Sequence, residues 1–199
     1  MKVYNYHPSV KPDSLKHDPD VIYINDFNQE SLKKFSRDFN DILAADWGIV
    51  PIYIDSYGGE VAALMGMVDV IQSSPVPVAT ICTSVAMSCG SALLAAGTPG
   101  YRFAAPNASI MVHDMGGCNW GKAKDILSDG KNLASLKKRY FEIFDKNCNQ
   151  QKGATEAKLH ELGNVDWFLT PKESKKYGII DFVKLPRMMM NINFGVSFE

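Results

Sequence analysis

The sequence predicts an α/β fold with a parallel β-sheet, because strand-like and helix-like segments alternate along the first half of the chain. Runs rich in β-branched and aromatic residues, typical of strands, occupy residues 21–25, 50–55 and 76–82. Helix-like segments lie between them at residues 29–45 and 61–71. Each helix returns the chain to the same edge of the sheet, and the strands that it connects therefore pair in parallel.

The two helix-like segments are recognised by the spacing of their apolar residues. Charged residues occupy the opposite face of the first segment, as expected of a helix that covers one face of a sheet. The SSPVP stretch, residues 73–77, ends the second segment because proline interrupts helical hydrogen bonding. The two apolar stripes are Leu32, Phe35, Phe39, Ile42 and Leu43, and then Val61, Leu64, Met65, Val68 and Ile71.

Further elements are predicted in the second half of the chain, beginning with a short helix in SCGSALLAAG, residues 88–97. A helix over 121–150 is long for a domain of this size, so we expect it to project and its apolar stripe to need a partner. That stripe comprises Leu133, Leu136, Tyr140, Phe141 and Phe144. The remaining predicted elements are strands at 101–105 and 108–112, a helix at 155–162, a strand at 167–170, a helical turn ending at Gly178 and a last strand at 179–183.

The two ends of the chain lack the patterns of the central part. Residues 1–20 contain three prolines and little periodicity, which indicates an irregular N-terminal arm. Residues 186–199 are apolar and carry no capping signal, so this C-terminal tail either docks on a neighbouring surface or frays. One domain is therefore expected over residues 21–185.

Composition and charge exclude several classes of function. The 199 residues carry a formal charge of −1 and are 46% apolar, which argues against a nucleic-acid-binding protein because phosphate contacts need a basic face. No apolar run reaches the ~18–20 residues that span a bilayer, and the first residues lack the apolar core of a secretory signal. We therefore expect a cytoplasmic protein whose partners are neither nucleic acids nor membranes.

The four cysteines, Cys82, Cys89, Cys118 and Cys148, form no CxxC pair and have no close Cys/His spacing. Such cysteines are expected to be buried, reduced thiols. Neither a metal ion nor another cofactor is predicted.

Residues suited to acyl transfer lie at the ends of predicted elements. Ser88 lies where the third strand gives way to a short helix, so the N–H groups beside it would be unpaired and would favour negative charge. The glycine pair in SYGGEV, residues 56–61, follows a strand and allows exposed N–H groups to form an anion nest. His113 follows a strand, and Asp166 precedes one. A serine, an imidazole, a carboxylate and free N–H donors are the parts of a serine-type acyl-transfer site.

Each of these residues also has a purely structural interpretation. A serine in a small-residue helix usually packs, a glycine pair after a strand is usually a turn, and a histidine at a strand end is usually a satisfied polar group. Asp166 is one of many acids at element junctions. MSCGS, residues 87–91, is not the G-x-S-x-G elbow of the α/β-hydrolases. Spacing alone leaves a serine hydrolase as one hypothesis among others.

Four segments together resemble the ClpP family, the proteolytic subunit of the Clp proteases. IYIDSYGGEV (52–61) resembles that family's strand followed by N-S-P-G-G, and ICTSVAMSCGSALLAAG (81–97) resembles its nucleophile segment. FAAPNASIMVHD (103–114) resembles its histidine segment, and VDWFLTPKESKKYGIID (165–181) resembles its acid segment. The similarity runs in one order from about residue 20 to 183, and four motifs in register are more specific than any one of them.

The resemblance implies a role for each candidate residue. Ser88 is the implied nucleophile, His113 the general base and then acid, and Asp166 the residue that holds the imidazole tautomer. The N–H groups of Gly59 and Cys89 are the implied oxyanion donors. The implied substrate-binding residues are Gly58, Asp114 and Met115.

The resemblance also implies a fold and an assembly. The fold is ClpP/crotonase-like, an α/β fold with a parallel sheet core and a projecting handle helix, which matches the long helix at 121–150. In that family the handle stacks two heptameric rings into a closed chamber, so a homo-oligomer is expected, either a heptamer or a tetradecamer. The substrate would be a peptide or an unfolded protein that adds as a strand beside the glycine pair.

This sequence departs from the family pattern at three places. Tyr57 stands where the family has proline, and HDMGG (113–117) replaces H-Q-P-x-G-G and is one residue shorter. Only about 20 irregular residues precede the first strand, where the family has an axial hairpin and a further helix. That hairpin contacts the ATPase ring, so an AAA+ unfoldase is left open as a partner rather than expected.

Three other functions remain as hypotheses. A catalytically inactive ring subunit would keep the fold, although drift would be expected to spoil at least one residue of the triad. A protease dedicated to one substrate, such as a viral capsid precursor, would differ only in its partner. A crotonase-type acyl-CoA enzyme shares the fold, but it would not need the three residues together, and no basic patch suited to the CoA phosphates is evident.

Overall fold

A computed structural model describes residues 20–45, 47–116 and 122–187 of the chain. The predicted N-terminal arm and the C-terminal tail fall, apart from a few residues, outside these ranges, as does Cys118. In chain order the described elements are β1 (Ile22–Ile24), α1 (Gln29–Ala44), β2 (Val50–Ser56), α2 (Val61–Gln72), β3 (Val78–Met87), α3 (Cys89–Ala95), β4 (Arg102–Ala104), β5 (Ser109–Val112), α4 (Ala123–Asn147), α5 (Ala154–Glu161), β6 (Trp167–Leu169), α6 (Pro171–Tyr177) and β7 (Phe182–Val183).

The sheet is parallel apart from one strand, which confirms the predicted fold class. Strands β1, β2, β3, β4 and β7 lie side by side in that order and all pair in parallel. Strand β3 also pairs in parallel with β5, and β6 runs antiparallel to β5. Because β4 pairs with the first half of β3 and β5 with its second half, the sheet forks along β3.

Helix α1 forms where the spacing of its apolar residues predicts it. Its N-terminus is closed by a capping box, in which the Asn28 side chain accepts from the Ser31 N–H and the Ser31 hydroxyl accepts from the Asn28 N–H. The apolar stripe buries Phe35, Phe39 and Ile42 in the core. Helix α2 buries Leu64, Val68 and Ile71 of its stripe in the same core. Each of the two helices therefore packs against the core through its own apolar face.

Strand β3 is longer than predicted. The sequence interpretation ended the strand at residue 82, but it continues to Met87. The extra residues are held because Ala86 pairs with Ser56 of β2 and with Ile110 of β5. Ser88 therefore follows the strand directly, with no intervening loop.

The last strand is shorter than predicted, since only residues 182 and 183 pair with β4. Its start is replaced by an ion pair in which Asp181 accepts from the Arg102 guanidinium at 2.7 Å and 3.0 Å and from two backbone N–H groups. Burial by itself raises the pKa of Asp181, but the hydrogen bonds and charge of Arg102 outweigh it, and the pKa is lowered. The Arg102–Asp181 pair thus holds the residue before β7 against the first residue of β4.

Helix α4 has a buried half and an exposed half. Tyr140, Phe141 and Phe144 are buried, and α4 contacts α2, α3 and α5. From residue 128 to 139 the side chains are exposed or half-buried. The predicted apolar stripe therefore has two parts. Its aromatic residues pack within the chain, whereas Leu133 and Leu136 are half-buried and could still contact a partner. No helix in the described ranges has the length and apolarity to cross a membrane.

Candidate active site

Ser88 occupies a strained position between β3 and α3. Its backbone has φ 54° and ψ −120°, a left-handed conformation that costs a residue with a side chain about 1–3 kcal/mol. The Ser88 N–H donates to the Met111 carbonyl oxygen at 2.9 Å, which ties the turn to β5. The surrounding fold stabilises this strained conformation. The conformation makes the chain turn sharply from strand to helix at Ser88.

The Ser88 carbonyl oxygen is held by several donors. The N–H and the hydroxyl of Ser91 donate to it at 3.0 Å and 2.7 Å, and the Ala92 N–H donates at 3.3 Å. The phenol of Tyr140, from α4, donates at 3.3 Å. Burial raises the pKa of Tyr140, so its phenol remains protonated as a donor. The backbone of Ser88 is thus fixed from α3 and from α4.

His113 contacts Ser88 directly. Its Nε2 atom lies 2.8 Å from the Ser88 Oγ atom. The contact follows from the pairing of the two strands. Strands β3 and β5 are parallel, with Met87 opposite Met111. Ser88 and His113 therefore lie at the same edge of the sheet, each directly after the carboxyl end of its strand. A neutral imidazole with its proton on Nδ1 can accept the serine proton at Nε2.

Asp166 lies on the far side of the imidazole from Ser88. Its Oδ1 atom is 3.7 Å from the His113 Nδ1 atom, close enough for an ion pair but beyond hydrogen-bond distance. The antiparallel pairing of Val112 with Trp167 brings Asp166 to the end of β5. Its side chain is 54% exposed. The structure therefore brings the three predicted residues together, with one tight contact and one loose contact.

The glycine pair after β2 lies against the serine. Gly58 has φ 114°, and a Cβ atom there would lie 2.7 Å from the Ser88 Cβ atom. Gly59 has φ 150°, and its Cβ atom would lie 2.5 Å from the Phe27 carbonyl oxygen. Both positions need glycine, because the conformation and the space each exclude a side chain. Within the described ranges, no backbone carbonyl oxygen accepts a hydrogen bond from the N–H groups of Gly59 and Cys89.

Cys89 links the glycine pair to α3. Its thiol donates to the Gly59 carbonyl oxygen at 3.3 Å and is fully buried. Burial raises the pKa of Cys89 to about 11, so the thiol is neutral across the physiological range. Cys82, Cys89 and Cys148 are buried free thiols, as predicted for these three.

Asp114 and Met115 form the segment that follows His113. The Asp114 carboxylate accepts from the Met115 N–H at 2.7 Å and pairs with Lys137 of α4 at 2.7 Å. Lys137 also pairs with Glu156 of α5 at 3.1 Å. The hydrogen bond to Asp114 raises the pKa of Lys137, although burial opposes it. The carboxylate of Asp114 and the N–H of Met115 are thus already engaged with each other.

Exposed apolar side chains flank the candidate residues in sequence. Tyr57, beside the glycine pair, is 77% exposed, and Phe168, two residues after Asp166, is 58% exposed. No three His, Cys, Asp or Glu side chains of the described part of the chain are placed to hold a metal ion.

Two contacting residues were missed from the sequence. Tyr140 was interpreted only as part of the apolar stripe of the long helix, and Lys137 was not singled out. Their partners, Ser88 and Asp114, are 52 and 23 residues away in the chain. Lys137 and Tyr140 are three residues apart, so the sequence places them on the same face of the predicted helix. Nothing in the local sequence indicates which distant segments this face contacts.

A serine on a strained strand-to-helix turn, hydrogen-bonded to an imidazole and beside a glycine pair, is the arrangement that serine hydrolases use. The family model described as Clp protease matches residues 39–186, which is most of the chain and includes every candidate residue above. The chain therefore belongs to the Clp protease family, a family of serine peptidases, and the predicted family membership is confirmed.

Proposed function

We propose that this protein is a serine endopeptidase in which Ser88 is the nucleophile, His113 the general base and then acid, and Asp166 the residue that orients the imidazole. The observation that carries this proposal is the 2.8 Å contact between Ser88 Oγ and His113 Nε2 at a strained backbone position. Strain of this kind is retained where a fold holds a reactive group in place.

The proposed reaction is acyl transfer in two steps. Ser88 Oγ attacks the peptide carbonyl carbon while His113 Nε2 takes the hydroxyl proton, and the same proton then passes to the leaving amine. Water, deprotonated by His113, releases the acyl group from the serine. The N–H groups of Gly59 and Cys89 are the proposed donors to the oxyanion, which is supported by their lack of a backbone carbonyl acceptor among the described residues.

Asp166 has a weaker supporting contact than the other two residues. In the proposed reaction it stabilises the imidazolium through His113 Nδ1, from which it is now 3.7 Å away. A movement of less than about 1 Å would bring the pair into hydrogen-bond range, and such contacts commonly tighten only when substrate binds. The exposure of Asp166 allows that movement.

The proposed substrate is a peptide or an unfolded protein bound in extended form beside Gly58 and the backbone of Asp114 and Met115. A homo-oligomer is proposed as well, as a heptamer or a tetradecamer in which the exposed half of α4 contacts another copy. An AAA+ unfoldase remains an open partner. A cytoplasmic location is part of the same proposal.

The test is the intact mass of the protein after treatment with a serine-reactive fluorophosphonate. We expect one adduct on the wild-type protein and none on Ser88→Ala, because the variant lacks the oxygen atom that reacts. Ser84→Ala is the matched control, since Ser84 is an exposed serine of β3 that precedes Ser88 in the same segment. An unlabelled wild-type protein, folded and assembled, would instead favour the inactive ring subunit.

A further inference from the structure

Lys137 of α4 contacts the segment that carries the candidate base. Its Nζ atom lies 2.7 Å from Asp114 Oδ2 and 3.1 Å from Glu156 Oε1. One turn further along α4, the Tyr140 phenol donates to the Ser88 carbonyl oxygen. The same helix face thus reaches both the nucleophile segment and the residue that follows His113.

Asp166 faces the His113 ring, and a chain of ion pairs begins at the next residue, Asp114. Asp166 precedes β6, Asp114 follows His113 in the loop after β5, Lys137 lies on α4 and Glu156 on α5. The other polar groups at this position, the phenol of Tyr140 and the thiol of Cys89, are neutral. Among the described residues, Lys137 is the cation paired with Asp114 and Glu156.

We propose that Lys137 is a positioning residue for the base: it holds Asp114 against α4 and balances the negative charge that Asp114 places beside His113. This inference rests on the proposed function, because it assumes that His113 accepts the proton of Ser88. It adds a role for α4, whose segment from Lys137 to Tyr140 would support the active site while most of the preceding turns are exposed.

Loss of the Lys137 charge has a defined electrostatic consequence. Adjacent Cα atoms are about 3.8 Å apart, so the Asp114 carboxylate lies within the ~10 Å Debye length of the His113 imidazole at ordinary salt concentration. An unbalanced carboxylate at that range favours the protonated imidazole. A protonated imidazole cannot accept the serine proton, and the acid side of the pH profile would move to higher pH.

A purely structural role for Lys137 would behave differently. If Lys137 only connected α4 to α5 and to the loop after β5, its removal would lower the rate of labelling by a similar factor at every pH. The acid midpoint would stay in place, because a looser loop changes the geometry and not the charge. The midpoint is therefore the measurement that separates the two roles.

The experiment measures the rate of fluorophosphonate labelling of Ser88 between pH 5 and pH 9 in the full-length protein. The test variants are Lys137→Met, which removes the charge and keeps the apolar stem, and Lys137→Arg, which keeps the charge. A double variant, Asp114→Asn with Lys137→Met, removes both members of the pair. Lys138→Met is the matched control, since Lys138 is the next lysine of α4 and is exposed.

In Lys137→Met we expect the acid midpoint to rise by about 0.5 pH unit and the rate at pH 6 to fall about threefold. Lys137→Arg and Lys138→Met should keep the wild-type midpoint. The double variant should return to it even if its rate stays low, since the unbalanced carboxylate is gone.

Two results would overturn the inference alone: an unchanged midpoint in Lys137→Met, or a shift that persists in the double variant. A wild-type protein without any label at Ser88 would overturn the proposed function, and the inference with it. The failures are distinguishable because the first two require a labelled wild-type protein.

Discussion

The nucleophile end and the acid end of the candidate site are built differently. Ser88 lies between two core elements, its carbonyl oxygen accepts four hydrogen bonds, and Gly58 packs against its side chain. Asp166 is 54% exposed and 3.7 Å from His113. It follows a turn in which Gly163 and Asn164 both have positive φ. The core therefore fixes one contact of His113, while the other is set by a surface segment.

The acid end is nevertheless anchored below the surface. The Trp167 ring packs edge-on against Tyr177 with ring centroids 4.8 Å apart. The Tyr177 phenol lies 3.1 Å from the Thr155 hydroxyl, which donates to the buried Asp145 carboxylate at 2.6 Å. The residue after Asp166 is thus held by packing below the surface, whereas the Asp166 side chain itself is exposed.

This comparison separates two parts of the proposed reaction. The proposed proton transfer from Ser88 to His113 depends on the nucleophile end, where the contact is already at hydrogen-bond distance. Stabilisation of the imidazolium depends on the loose end, where a small closing movement is still needed. Changes at the nucleophile end should therefore have larger effects than changes at the acid end.

The largest effect after loss of Ser88 itself is expected from Gly58→Ala. The new Cβ atom would lie 2.7 Å from the Ser88 Cβ atom, at a residue with φ 114°, so the turn must shift and the serine with it. We expect fluorophosphonate labelling to fall by at least ~100-fold and the free energy of unfolding to fall by about 1–3 kcal/mol. Labelling kinetics and chemical denaturation measure the two effects.

Gly48→Ala is the matched control for that change. Gly48 also has a positive φ, 71°, but a Cβ atom there meets nothing within 4 Å. It should therefore carry the conformational cost without affecting the rate of labelling. Equal loss of labelling in both variants would show that general destabilisation, and not contact with Ser88, explains the result for Gly58.

The sequence was sufficient for the parts of this site that depend on local pattern. Periodicity placed α1 and α2. Ser88, His113 and Asp166 stand out because they lie at the ends of predicted elements, but their roles follow only from the resemblance to the ClpP family. The unequal contacts of His113 were not predictable, since they depend on how β6 lies against β5. The Lys137–Asp114 pair was not predictable either, because it joins residues 23 apart through tertiary packing.

A smaller effect is expected from Asp166→Asn. A buried acid that is hydrogen-bonded to the base contributes about 10⁴-fold in other serine hydrolases, but Asp166 is exposed and 3.7 Å away. We therefore expect labelling to slow by only ~10- to 100-fold, since solvent weakens its effect on the imidazolium. The acid midpoint should move to lower pH, opposite in direction to Lys137→Met. A loss as large as that of Ser88→Ala would mean that the two ends are equally rigid in the reacting protein.

The smallest effect is expected from Cys89→Ala, which tests the link between the glycine pair and α3. The change removes the hydrogen bond from the thiol to the Gly59 carbonyl oxygen but leaves the Cys89 N–H in place. A weak hydrogen bond contributes about 0.7 kcal/mol, so labelling should slow about threefold, and Cys89→Ser, which keeps a donor, should slow it less. Because the pKa of the thiol is about 11, neither variant should alter the pH profile between pH 5 and pH 9. A changed profile would mean that Cys89 titrates in the folded protein and does more than hold Gly59.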